Sequence, residues 1–531
     1  MNISRFYEHW KIVENPFAGE EARHDPVFAR IGGAQGSGAS PTAGAANARP
    51  ITHPDFQKIL GDLSRPSSSI VFGEKGSGKT AIRLQIAARI DEHNRANPDA
   101  KVLLIPYDDL NPMLDRLCAA FKTGLDDEPP EVLKALEKLR LVDHLDSILH
   151  NAVPKVVDAL LDEQRGTSAV TLPDKPWKIL RRSEPTLRRD LLILQSLYDR
   201  QPGASERTRI VRRRLRLPGN RAAFVWRMLA LFGWILPLGV LAADVSQKFW
   251  EWPRQFGPLV YLGSMYATLG LWLVFLIKWF IVDRWGIRHA ARRLRKQLRT
   301  LPWTTETLSR TLWLLPWRVR DPAVLPTDDQ EEKRYAMLGR LRRVLVPLGY
   351  RGLIIVLDRL DEPTIIAGDA VRMKAVVWPL LNNKFLQQEG IGVKLLLPIE
   401  LRHELFRESA AFFQEARLDK QNLVEKLNWS GPMLYDLCST RLNACREAGA
   451  APIALTDLFE EDVARQDIID ALEQMHQPRD AFKLLYQCMH EHAAIVPDEQ
   501  ARYRIPRSVL DMVRRQQAER VSMLSRGIRP A

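Results

Sequence analysis

The sequence predicts an α/β fold: a parallel-sheet domain, split in sequence by a helical insertion that carries a two-helix transmembrane hairpin, then an α-helical C-terminal lid. Three observations lead there. Short apolar runs alternate with helical patterns before residue 125 and again after residue 335, as in a sheet with covering helices. Between them lie two apolar stretches, 222–243 and 255–277, each about the twenty residues that a ~30 Å hydrocarbon core demands. Beyond residue 431 the pattern is helical. A chain of 531 residues exceeds one ordinary core, so two or three units are expected. With 46% hydrophobic and 27% charged residues, the composition is that of a folded protein.

Residues 1–49 read as an N-terminal segment and a linker. Asn15-Pro16-Phe17 suits either a packed turn or a place beside a bound base. Positions 32–49 are rich in Gly, Ala and Ser and carry too little apolar surface to order themselves, which predicts a flexible linker. The first residues contain no apolar stretch of the signal-peptide kind. Cys118, Cys438, Cys445 and Cys488 are scattered without a C-x-x-C, which argues against a zinc site or disulfide framework and fits a reducing cytosol.

The first part of the sheet domain is expected over 50–125. A helix over about 54–63 leads into the apolar strand Ser69-Ile70-Val71-Phe72. Then comes Gly73-Glu74-Lys75-Gly76-Ser77-Gly78-Lys79-Thr80, a G-x-x-x-x-G-K-T pattern, and a helical stretch from Ala81. Strand, loop and helix in that order are the context a phosphate-binding loop requires. Glycines let successive backbone N–H groups close around phosphate oxygens, and the helix N-terminus adds its positive end. Lys79 is expected to reach the β- and γ-phosphates of a nucleoside triphosphate, and the Thr80 hydroxyl to ligate Mg²⁺. Residues 101–107 (K-V-L-L-I-P-Y) form a second buried strand.

Residues 126–221 read as a helical insertion without catalytic spacing; Arg181-Arg182 and Arg188-Arg189 suit a solvated face. Segment 207–221 carries seven arginines and no acid. The two spans follow within 222–282, with Phe249, Trp250 and Trp252 between them. Lys278, Arg284, Arg288, Arg292, Arg293, Arg295, Lys296 and Arg299 come after, in a basic helical linker over 283–334. Basic residues at both outer ends place both ends, both termini and the sheet domain on the cytoplasmic side of the inner membrane. Trp226, Trp279 and Trp285 then mark the inner interface. The net charge of +13 concentrates at these flanks, so topology and anionic lipid explain it more simply than nucleic acid does.

The second part of the sheet domain is expected over 335–430. After an amphipathic helix ended by Pro347 comes the apolar strand 352–357, then Asp358-Arg359-Leu360-Asp361-Glu362. An apolar strand ending in Asp suits a Mg²⁺ carboxylate, here Asp358. An acid just beyond can orient water; Glu362 is preferred slightly over Asp361. Residues 391–399 form another buried strand, after which Glu400 and Arg402 compete to sense the γ-phosphate. In the helical unit 431–531, Arg479 sits in the first turn of a helix, where its charge opposes the helix dipole and invites an anion.

The loop 73–80 and the D-x-x-D-E after the later strand resemble P-loop ATPases of the additional-strand, catalytic-glutamate class, with AAA+ and STAND-like ends. The resemblance implies ATP and Mg²⁺ as ligands and a sensor role for Pro478-Arg479-Asp480 on the γ-phosphate. It also implies an arginine-finger role for Arg417 and assembly into a homo-oligomer. Membrane helices between the two motifs are similar to the KAP family of P-loop NTPases, although Asp358-Arg359-Leu360-Asp361-Glu362 stands where that family has D-D-x-D-R. A membrane-anchored ATPase switch, in signalling or defence and with a protein partner, is the expectation that follows. A non-hydrolysing ATP-binding scaffold is its alternative. A transporter component ranks lower, because no acid lies within either span.

Overall fold

The computed structural model describes residues 2–18, 21–31, 51–121, 129–161, 170–200, 203–217, 221–249, 258–316, 320–321, 324–406, 422–497 and 502–525. The expected linker at 32–49, Trp250, Trp252 and Arg417 lie outside the described residues. The chain forms two compact units: Met1–Asn111 with Arg351–Ala531, and Pro112–Tyr350.

The first unit is built on five strands: β1 (Ser69–Gly73), β2 (Lys101–Tyr107), β3 (Tyr350–Leu357), β4 (Ile391–Pro398) and β5 (Asn422–Val424). They form one all-parallel sheet in the order β2-β3-β4-β1-β5. Ser69 lies opposite both Lys394 and Asn422, and Leu357 lies opposite Leu395, so the strands end toward one edge, with Gly73 level with Pro398 and Asp358 following Leu357 near the level of Leu396. Every residue of β1 and β4 is buried, as near-continuous apolar runs in a sheet covered on both faces must be. The Lys79–Ala96 helix presents Ile82, Ile86 and Ile90 at four-residue spacing to Val71, Val102, Ile354, Val356 and Leu396. The helix expected over 54–63 is shorter, Phe56–Leu60, and ends where Gly61 takes a positive φ.

A second apolar core in this unit joins the N-terminal segment to the C-terminal helices. Phe6, Ile12, Phe17 and Val27 pack with Leu434, Cys438, Leu472, Leu485 and Val509. Trp10 Nε1 donates to Tyr503 O at 2.8 Å, and Arg441 pairs with Asp25 at 2.7 Å while its Nε donates to Pro16 O. Asn15-Pro16-Phe17 is therefore a packed turn: Asn15 Oδ1 accepts from Phe17 N, and the buried Phe17 ring stacks on Phe482.

The second unit is helical. Leu141–Leu161, Pro185–Tyr198 and Glu331–Leu345 pack on one another, so the amphipathic helix expected at the start of the second sheet segment belongs here. Amphipathicity alone does not say which core a helix covers. Buried aspartates tie the bundle together: Arg207 pairs with Asp158 at 2.6 Å and Asp199 at 2.8 Å, and Arg299 with Asp143 at 2.6 Å. Arg334 and Asp146, both with fully buried side chains, meet at 3.4 Å, and Tyr198 Oη donates to Asp146 at 2.8 Å. Arg207 thus serves the bundle rather than a lipid-facing flank, and Arg181 and Arg188 donate to the carbonyls of Arg214 and Leu215.

Two helical stretches here, Phe224–Ser246 and Leu262–Gln297, are long and apolar enough to cross a membrane, and their most apolar 18-residue windows are almost free of buried residues. The first is not continuous. Arg221–Phe232 ends at Gly233, and Ile235–Phe249 starts afresh. Pro237 lacks an N–H for the Gly233 carbonyl, which accepts from Leu236 instead. Trp272 Nε1 donates to Ala230 O at 2.9 Å beside the break. The second stretch runs on past the expected end at 277, through a π-helical turn at Lys278–Val282 into Asp283–Gln297. Trp226 meets Phe275 edge-on and lies under Lys278 Nζ at 4.0 Å, so the hairpin's outer ends sit side by side.

Candidate functional site

At the sheet edge where β1 and β3 end, the first unit holds a cavity of about 250 Å³. Lys75, Gly76, Gly78, Lys79 and Thr80 line one side; Asp358, Asp361 and Glu362 face them, with Arg479 beside. Gly76 and Gly78 have φ of 103° and 95°, values that only glycine adopts without strain. A Cβ on Gly76 would come within 2.9 Å of Gln477 Oε1 and 3.0 Å of Arg479 Cβ, so the turn accepts no side chain there. Of the remaining turn residues, Gly73 ends β1, Glu74 points to Lys426 at 2.8 Å, and the Ser77 side chain is buried.

Residues 278 positions apart in sequence meet here: Thr80 Oγ1 donates to Asp358 Oδ2 at 3.1 Å. Lys79 Nζ folds back on the carbonyls of Gly73 and Glu74, at 2.7 and 2.9 Å. Burial lowers the Lys79 pKa; Asp361 does most among the acids to restore it, followed by Asp358, Glu400 and Glu74. Burial raises Asp358, opposed chiefly by Arg83, whose Nε lies 3.3 Å from Oδ2. Burial also raises Glu362, opposed by Arg359, which pairs with it at 3.0 Å. Arg359 itself has a φ of 60°, the left-handed region that bulky residues rarely adopt, and it reaches Glu21 at 3.5 Å.

The donor set suits a triphosphate with a divalent cation. A hydroxyl and a buried carboxylate converge, an ammonium stands beside them on loop carbonyls, and the loop's glycine backbone is open to close approach. The buried Nε of Arg479 has no hydrogen-bond partner among the described residues. Glu400 and Arg402 do not line this cavity. They border a neighbouring cleft together with Glu74, Lys75 and Arg479, and Arg402 is paired with Glu425 at 2.7 Å.

Several residues of the site carry no motif. Trp429 Nε1 donates to Ser77 O at 2.8 Å and pins the turn from the segment after β5. Arg83 also pairs with Asp108 at the end of β2, as does Arg23 of the N-terminal segment. Ala22, Phe28, Ile51, Leu437 and Phe482 contribute apolar side chains to the lining, together with the polar Glu21, Asp25, His53, Gln85 and Arg441. His53 Nε2 lies 2.8 Å from Asn428 O, and burial lowers its pKa. A sequence signal existed only for Arg83, which lies three residues past Thr80 and so on the same helix face. Comparison with protein-family models, curated proteins and solved structures finds no match.

Proposed function

We propose that this chain is a membrane-anchored, Mg²⁺-dependent ATPase whose nucleotide state acts as a switch. The contact between Thr80 and Asp358 carries the reading, because it joins the two halves of the motif set across the whole insertion. The position of β4 between β1 and β3 supports the additional-strand class that the motifs resemble. Thr80 and Asp358 would hold Mg²⁺, which supplies charge neutralisation at the β- and γ-phosphates. Lys79 exchanges its loop carbonyls for phosphate oxygens, and the loop amides orient the chain of phosphates. Glu362 or Asp361 accepts the proton of the attacking water. Arg479, from the C-terminal helices, offers its unpaired Nε to the same charge. The Phe28 and Phe482 rings in the lining suit a purine base. Arg417 keeps its proposed role as an arginine finger in a homo-oligomer.

The exposed apolar hairpin supports the membrane anchor, since the core helices of a soluble protein are buried. Its side-by-side outer ends fit a chain that returns to the side it left, the cytoplasmic side by its basic flanks. One observation favours the scaffold alternative: Glu362 is exposed and already paired with Arg359. Turnover decides between them. Full-length protein in detergent should hydrolyse MgATP, Lys79→Ala should lose both binding and turnover, and Glu362→Gln should keep binding while turnover falls at least tenfold. Binding without turnover in the wild type identifies the scaffold. Equal hydrolysis by Lys79→Ala overturns the assignment.

A further inference from the structure

We propose that a cavity just below the π-helical turn of the second span is a binding site for an anionic, phosphate-bearing lipid headgroup. The inference rests on the membrane reading above and assigns a defined pocket where that reading needs only diffuse basic flanks. The cavity, about 360 Å³, opens along the helix between Val282 and Arg293. Its cations are Arg293 and Arg320, its single acid is Asp283, and His289 lines it beside them. Ile287, Leu312 and Leu325 form the apolar wall, each of them buried.

Depth selects the ligand. The uncharged run of the long helix ends at Ile277; after Lys278 a last apolar turn, 279–282, precedes Asp283 and Arg284, which begin its densely charged part. Trp285, 64% exposed, stands one turn beyond, where indoles mark a membrane interface. Phosphates of the lipid layer lie at this level, and the exposed Phe280, Ile281 and Val282 offer the adjoining surface to acyl chains.

The site is also built. Arg320 is fixed by three hydrogen bonds to carbonyls: Nε to Leu315 O at 3.0 Å, and Nη2 to Leu315 O at 2.8 Å and Trp313 O at 3.1 Å. Carbonyls orient a guanidinium without neutralising it, and Arg320 makes no ion pair among the described residues. Burial works against its charge, and only Asp283 offsets this, from beyond ion-pair distance. An anion between Arg293 and Arg320 would supply the missing countercharge, and a guanidinium's fork geometry fits phosphate oxygens. A π-turn next to such a cavity is a recurrent mark of functional helices.

The test uses the full chain in nanodiscs of phosphatidylcholine containing a minor fraction of phosphatidylglycerol, released into neutral detergent and weighed by native mass spectrometry. One phosphatidylglycerol per chain should stay bound, and no phosphatidylcholine. Arg320→Gln should lower the retained fraction at least tenfold. Arg293→Glu, an exposed change that does not threaten the fold, should do the same, while Lys296→Gln outside the cavity should not. Equal retention of the two lipids, or retention unaffected by Arg293→Glu, overturns the proposal. So does complete displacement by an equal concentration of inorganic phosphate, which would mark a free-anion site. Alkaline carbonate washing separates the two levels. If it strips the chain from membranes, the anchor reading fails; if the chain stays in membranes without lipid selectivity, only the headgroup site fails.

Discussion

Replacing Trp429 with phenylalanine removes one hydrogen bond at the candidate site and little else. The indole is 9% exposed, and its Nε1 donates to Ser77 O at 2.8 Å. The ring also stands edge-on to His53, with centroids 5.0 Å apart, and its Cζ2 lies 3.9 Å from where a Gly78 Cβ would sit. Phenylalanine keeps most of that packing. What it abandons is the carbonyl of a residue only 2% exposed, and an unsatisfied buried acceptor costs about 1–3 kcal/mol. At a factor of ten per 1.4 kcal/mol, nucleotide binding should weaken by roughly 5- to 150-fold if the pinned turn is the one that accepts phosphate. Titration of a fluorescent ATP analogue, alongside melting with and without MgATP, measures the effect. The expected result is weaker binding and a smaller ATP-dependent rise in melting temperature. A dissociation constant within twofold of wild type would refute the reasoning, because the turn would then hold its shape without the indole.

The other expectations concern the second unit. Arg334→Met strands the Asp146 carboxylate in a site that is fully buried, and breaking such a pair costs about 3–5 kcal/mol, read as a lower denaturant midpoint. Burial pushes Asp146 up to about 6 from 3.8, so the folded chain holds this proton more tightly than the unfolded chain. Its stabilising contribution is full below pH 3.8 and is lost as pH rises to about 6; Asp146→Asn should remove that slope from the difference in melting temperature. Gly233→Val places a side chain where a Cβ already lies 2.7 Å from Trp272 Cδ1. It should reduce disulfide crosslinking between cysteines introduced at Trp226 and Phe275.

The strands were legible because buried parallel strands write themselves as apolar runs. The expected stretch at 101–107 is β2 residue for residue, and those at 352–357 and 391–399 differ from β3 and β4 by two residues or fewer. The turn at 73–80 lies between β1 and the Lys79–Ala96 helix, where the sequence placed it, and Gly76 and Gly78 take φ values that favour glycine. Trp429 was not legible, since a tryptophan after a short strand has no pattern, and only the fold puts Ser77 O within its reach. The break in the first span left a trace in Pro237 that hydropathy passes over, because proline, glycine and leucine are all apolar enough to continue a span. The two acids after β3 differ in their surroundings in a way that the sequence does not show. Position along the chain favoured Glu362, whereas in space Asp361 acts most strongly on Lys79 and Glu362 turns to Arg359.

The strand order locates the insertion in physical terms. β2 and β3 are neighbours in a parallel sheet, so a crossover must join them, and the whole of Pro112–Tyr350 occupies that crossover. The chain leaves β2 at the edge where the site lies. Asp108, the first residue after that strand, is held by Arg83, and Arg83 is held in turn by Asp358. Three residues further on, Asn111 Oδ1 accepts from Thr364 N at 3.2 Å, just past Asp361 and Glu362. The proposed metal carboxylate is thus two ion pairs from Asp108, through Arg83, and Asn111 is bonded to Thr364, two residues past Glu362. A cation at Asp358 competes directly with Arg83 for the same oxygen. On the proposed reading, that competition would couple a bound cation to the segment that follows β2, within the first unit and without any rearrangement of the sheet.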